Sequence, residues 1–96
     1  MSIDRLLMEK RAQVLAIARK HGARNVRVFG SASRGECGPE SDIDLLVDVA
    51  PVHSPWFPGG LIADLEQLLG REVDVVEPEG LHWYIRDRVL KEAVPL

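Results

Sequence analysis

Gly30 and Ser31 close the apolar run Val26-Arg27-Val28-Phe29, and ten residues separate Ser31 from Asp42-Ile43-Asp44. These residue types at this spacing describe a phosphate grip beside a metal grip, which is a site for chemistry on a nucleotide triphosphate. The β-prone run stops at Gly30, where a glycine lets the backbone turn and come close to a ligand. Ser31 then opens a helical turn, whose unpaired N–H groups and partial positive charge suit phosphate oxygens, with the hydroxyl as a further donor. Arg34 lies one turn on and adds its guanidinium fork.

The second run, residues 42–49, alternates polar and apolar residues as a strand with one buried face does, so Asp42 and Asp44 are expected on one side. Ile43, Leu45, Val47 and Val49 are expected to face the core. Carboxylates two residues apart on a strand sit roughly 7 Å apart at the backbone and can converge on divalent cations. Such hard oxygen ligands select Mg²⁺ or Mn²⁺, with substrate phosphates completing the shell. A third acid is available in the β-branched run Arg71-Glu72-Val73-Asp74-Val75-Val76. Asp74 sits mid-strand between valines, whereas Glu72, on the same face, lies nearer the turn. A lone Asp-x-Asp is more often a turn or cap, and a lone Gly-Ser says almost nothing. Joined at this spacing, with Arg34-Gly35 between them and Ser41 before the aspartates, they define a nucleotide-and-metal site.

The elements that must position these residues read as helix, strand, turn, strand, loop, helix, strand, helix. The first helix is expected over about Ile3 to Arg19, with Ser2 as N-cap, Asp4 in its first turn, an apolar stripe of Leu7, Val14, Leu15 and Ala18, and Gly22 as terminator. Leu61, Leu65, Leu68 and Leu69 repeat the stripe before Gly70, and Leu81, Ile85 and Val89 repeat it in the closing helix, which Pro95 stops. All three stripes are read as core. Residues 51–60 form the one long loop, with three prolines and a glycine pair. Its Trp56 and Phe57 are better read as a satellite core than as a base-stacking platform.

With 96 residues the chain is expected to be one domain, residues 1–96, with a modest core and no room for a second lobe. Hydrophobic residues at 46% and charged ones at 28% exclude a disordered chain, and the longest apolar runs are too short to cross a bilayer. No membrane association is expected, and a cytoplasmic location is. A net charge of −3 gives no general attraction for nucleic acid, so no stable nucleic-acid binding is expected. The single cysteine, Cys37, cannot form an internal disulfide and reads as a plain loop residue. His21, His53 and His82 lack metal-ligand spacing and read as cap, surface or packing residues.

The text Val28-Phe29-Gly30-Ser31-Ala32-Ser33-Arg34-Gly35 through Ser41-Asp42-Ile43-Asp44-Leu45-Leu46-Val47 resembles the signature of the DNA polymerase β-like nucleotidyltransferases, in their minimal, MntA-like antitoxin branch. The resemblance runs over most of the chain. It implies an α+β, two-layer fold, a small mixed sheet with helices packed on it, and transfer of AMP from ATP to a hydroxyl. Asp42, Asp44 and Asp74 would then hold two Mg²⁺ ions, with Gly30, Ser31 and Arg34 on the nucleotide. The implied partner is a HEPN-domain toxin RNase carrying the acceptor tyrosine, in a type VII toxin–antitoxin pair. Drug-modifying relatives add AMP to aminoglycosides through an extra helical domain that this chain lacks, so a small-molecule acceptor ranks lower. A non-catalytic antitoxin that sequesters its toxin is the competing class. Without a second lobe, the partner or a second copy of the chain is expected to complete the pocket.

Overall fold

Gly22 turns the chain from helix into sheet. The computed structural model describes residues 5–30, 42–53, 55 and 57–96. Helix α2 (Arg11–His21) ends where Gly22 takes the left-handed conformation, φ 89° and ψ 17°, and its N–H bonds the carbonyls of Ala18 and Arg19. A β-carbon there would lie 2.6 Å from the backbone of Val52 and His53, so only glycine admits the neighbouring loop. Strand β1 (Ala23–Phe29) begins at once, three residues earlier than the apolar run indicates. The early start rests on a bulge, with Asn25 at φ 51° and the register shifting between Arg24 and Arg27. Asn25 Nδ2 and Arg27 Nη2 donate to the two carboxylate oxygens of Asp48 at 3.0 and 2.9 Å, and Arg27 Nε donates to the Asn25 carbonyl. The irregular segment is thereby tied to its neighbour.

That neighbour is β2 (Ile43–Val49), antiparallel to β1. Strand β3 (Val73–Val76) lies parallel to β2, and β4 (Val94–Pro95) antiparallel to β1, giving the order β3-β2-β1-β4. This is the mixed α+β sheet that the sequence implies. Pro95 is tolerated because it sits on an edge, where a missing N–H leaves no gap in the ladder. Leu96 continues the pairing with its N–H on the Val26 carbonyl, while its own carbonyl accepts from Arg11 Nε at 2.7 Å.

The principal core joins Val14 and Ala18 of α2, Leu61, Leu65 and Leu69 of α3 (Gly59–Leu69), and Val28, Ile43, Leu45, Val47, Val73 and Val75 of the sheet. Leu7 of α1 (Arg5–Glu9) completes it. Each such side chain contributes on the order of 1.5–3 kcal/mol when fully removed from water. Phe57 is partly buried and packs against this principal core, where a satellite core under the loop was expected. His21 and Asp64 clasp α2 to α3, with His21 Nε2 donating to Asp64 Oδ2 at 2.7 Å.

Four expectations need correction. The first helix is interrupted at Lys10, although the ladder continues through Lys10 N–H to Leu6 and Val14 N–H to Lys10, and it runs on to His21. On β2, Val49 is not a core residue, and Leu46, on the face opposite the core, is fully buried. A short 3₁₀ turn (Pro78–Gly80) and strand β4 were not foreseen. Finally, α4 (Trp83–Glu92) has no buried residue, so the stripe of Ile85 and Val89 is not core. Its helix ends at Glu92 because Ala93 is already extended, and Val94 joins the sheet. No helix among the described residues is long and apolar enough to cross a membrane.

Candidate active site

Asp44 is the second residue of the central strand β2, with a strand paired on each side of it. Phe29 of β1 is its register partner across one ladder and Asp74 of β3 across the other. Neighbouring strands lie about 4.8 Å apart, and residues in register share a face, so Asp44 and Asp74 stand side by side. Asp74 is exposed between the buried Val73 and Val75, which places its carboxylate on the face away from the core. Asp42 is exposed immediately ahead of β2, two residues from Asp44.

Gly30 follows directly on β1 with φ 70°. A β-carbon at that position would sit 2.8 Å from Asp44 Oδ2, so the carboxylate occupies the space that any side chain would take. The glycine therefore does two things at this corner: it turns the backbone and it leaves room for Asp44.

The electrostatics follow from the crowding. Partial burial pushes the Asp44 carboxyl above the usual carboxylate range, and repulsion from Asp74 and then Asp42 adds to the effect. Among the described residues no three His, Cys, Asp or Glu side chains are drawn together into a ready-made ligand set. The three aspartates share a field rather than a point. A divalent cation is the partner that offsets such repulsion, and carboxylate oxygens are the donors Mg²⁺ takes. The donor chemistry of Asp42, Asp44 and Asp74 fits it.

Strand β3 is anchored by a residue to which sequence reasoning gave no part. Glu66, in the last turns of α3, accepts the Val73 N–H through Oε2 at 3.0 Å, one residue before Asp74. Its carbonyl also takes the Gly70 N–H at 2.8 Å. Neither bond is visible in periodicity, since Glu66 reads only as a polar position on an amphipathic helix. Glu72, the other acid of this run, lies outside β3 and contributes its carbonyl to the Ile43 N–H. Asp48 shares the face of Asp44 four residues on, but it is occupied by Arg27 and Asn25. With Arg24, Glu77, Pro78 and Glu79 it borders a hollow of about 380 Å³ at the far end of β2. Ser31 and Arg34, the other expected phosphate contacts, lie outside the described residues, as do Cys37, Ser41 and Trp56.

The family profile described as "Nucleotidyltransferase domain" matches residues 11–96. A provisionally named protein adenylyltransferase of Methanocaldococcus jannaschii is 38% identical over 90% of this chain and 92% of its own. The protein adenylyltransferase MntA of Thermococcus cleftensis is 41% identical over 78% of this chain and 76% of its own. Among solved structures, a provisionally named minimal nucleotidyltransferase superposes with a TM-score of 0.83 at 44% identity, covering 94% of this chain and 92% of that one. A toxin–antitoxin crystal structure with AMP-PNP shares the fold, with a TM-score of 0.73 at 22% identity over 88% of this chain and 69% of that one. The match over nearly the whole chain settles its kinship: the protein belongs to the nucleotidyltransferase domain family, in the minimal, MntA-like branch.

Proposed function

We propose that this chain transfers AMP from ATP to a hydroxyl on a protein, and that the acceptor is a tyrosine of a cognate HEPN-domain toxin RNase. The observation that carries the reading is the register of Asp44 with Asp74 beside the Gly30 corner. Relatives at 38% and 41% identity that bear the name protein adenylyltransferase support the reaction class. Support for a toxin as the partner comes from the fold shared with a toxin–antitoxin structure.

In this reading Gly30, Ser31 and Arg34 bind the triphosphate and aim its α-phosphorus toward the aspartates. Asp42, Asp44 and Asp74 would hold Mg²⁺, which when bound neutralises phosphoryl charge and lowers the pKa of the attacking hydroxyl. The acceptor oxygen forms a bond to the α-phosphorus as the bond to the β-phosphate bridging oxygen breaks, and pyrophosphate leaves. The hydroxyl proton passes to Asp74, which is exposed to solvent beside Asp44. With no covalent intermediate on the enzyme, the chain supplies orientation and charge placement.

The test is intact-mass analysis of a HEPN-domain RNase incubated with this chain and Mg-ATP. An AMP-sized increase is expected with the wild type and not with Asp44→Ala. Inhibition of the RNase with no mass increase would instead mean sequestration, and the transfer reading would fall.

A further inference from the structure

Phe29 is the last residue of β1 and the register partner of Asp44. Its predecessor Val28 is fully buried in the core, so Phe29 points to the opposite face of the sheet, the one that carries Asp44 and Asp74. In keeping with that side, Phe29 is neither in the core nor among the partly buried residues packed against it. Side chains directly opposed on antiparallel strands have β-carbons about 4.5–5.5 Å apart. The Asp44 carboxylate also leans toward this strand, with Oδ2 2.8 Å from the place of a β-carbon on Gly30. Phe29 is half-buried, whereas Leu46, two residues beyond Asp44 on the same face, is closed off from water. The ring therefore stands where the covered part of this face gives way to the open carboxylates. Of the other described aromatic side chains, Phe57 packs against the core on the far face, and Trp83 and Tyr84 lie on α4 beyond the Pro78–Gly80 turn. Neither phosphate nor metal binding calls for a phenyl ring beside Asp44.

The geometry points to Phe29 as a specificity-determining residue that selects an aromatic hydroxyl, its ring packing on the acceptor's ring as the acceptor oxygen meets the α-phosphorus. This rests on the AMP-transfer reading above. The attacking oxygen must come within about 3–3.5 Å of the phosphorus. In a phenol that oxygen is bonded directly to the ring, so the ring is carried up to the carboxylates with it. A serine or threonine hydroxyl sits on a tetrahedral carbon with no flat surface behind it, and gains little from a phenyl neighbour. Adenine is the other ring in the reaction, but the ribose and its 5′ carbon stand between it and the α-phosphorus. A platform beside the metal-holding carboxylate is therefore too close in for the base. Aromatic rings attract one another offset or edge to face, with centroids about 4.5–7 Å apart, a span that seats a phenol next to Phe29 with its oxygen toward Asp44. The ring acts on the choice and placement of the acceptor, and leaves nucleotide binding to the glycine corner.

The experiment compares the wild type with Phe29→Leu, which keeps an apolar side chain and loses the ring, and with Phe29→Tyr, which keeps the ring. Phe29→Met replaces the leucine variant should that one lower the melting temperature. AMP transfer is measured to a HEPN-domain RNase and to the same RNase with its acceptor changed Tyr→Ser, and affinity for Mg-ATP is measured separately. The leucine variant should lose roughly two- to tenfold in kcat/KM toward the tyrosine, bind Mg-ATP as the wild type does, and melt at the same temperature. The tyrosine variant should transfer like the wild type. A folded leucine or methionine variant that modifies the tyrosine as well as the wild type overturns the proposal, since the ring is then packing alone. A matching loss of Mg-ATP affinity also overturns it, because the ring then serves the base. If the wild type modifies the serine form as readily as the tyrosine form, the transfer reading stands and the selection falls. A wild type that modifies neither overturns both.

Discussion

Gly30 and Asp44 occupy one another's space, and this gives the smallest change the largest expected effect. Gly30→Ala puts a methyl group 2.8 Å from the Asp44 carboxylate, at a φ of 70° that L-residues adopt at a cost of about 1–2 kcal/mol. The carboxylate must move, and a displacement near 1 Å lowers AMP transfer on the order of 100-fold. Pyrophosphate release alongside a thermal melt separates this from unfolding. Asp44→Asn should behave in a less obvious way. Because burial and neighbouring aspartates raise the Asp44 pKa, the stability linked to its protonated form is present below the ordinary carboxylate value near 4 and is lost as pH rises through the raised one. At pH 7 in EDTA the Asn variant should therefore melt higher than the wild type while transferring no AMP. The difference should close as the pH is brought down toward 4. A lower melting temperature for the variant at neutral pH would show that the three aspartates do not repel as described.

Elements were legible where one face meets water and the other meets the core. Helix α3 follows its pattern, β2 follows its own at Ile43, Leu45 and Val47, and Gly22 and Gly70 mark helix ends as read from the sequence. What escaped was decided by partners in space. Strand β1 reaches back to Ala23 because Asp48, on another strand, holds the bulge at Asn25. The stripe on α4 announces an amphipathic helix without saying what its apolar side meets, and in the fold none of that side is buried. Strand β4 is two residues long and contains a proline, too little for any period to register. Of the candidate site, Gly30, Asp42 and Asp44 were readable by spacing, and Asp74 by its place between valines in a β-branched run. The support beneath Asp74 was not, since it depends on where α3 ends. Glu66→Ala removes the acceptor of the Val73 N–H and should destabilise by about 1.5–3 kcal/mol, the range for bonds to a charged group. Glu66→Gln keeps an acceptor at nearly the same place. Urea melts should show the Ala variant weakened and the Gln variant close to wild type, with AMP transfer following the same order.

For the molecule as a whole, acid stability falls to the clasp between its two packed helices. The hydrogen bond from His21 holds the Asp64 carboxyl below its usual range against the opposing effect of desolvation, with Lys20 also lowering it. A depressed carboxylate contributes stability above its unfolded pKa and loses it as the pH falls through the folded one, so this contribution disappears below about pH 4. Asp64→Ala should flatten the acid limb of a melting-temperature profile taken in EDTA, leaving the neutral difference from Asp44→Asn in place. The sheet itself carries one more implication. Its rims are β3, with the exposed Asp74 at mid-strand, and β4, where Pro95 offers no N–H. Charge on one border and proline on the other discourage a stranger's strand from zipping on. An acid at this place thus also guards against clumping. An inactive form meant for binding work is better made as Asp74→Asn than Asp74→Val, because a valine there would turn the rim into a template for aggregates.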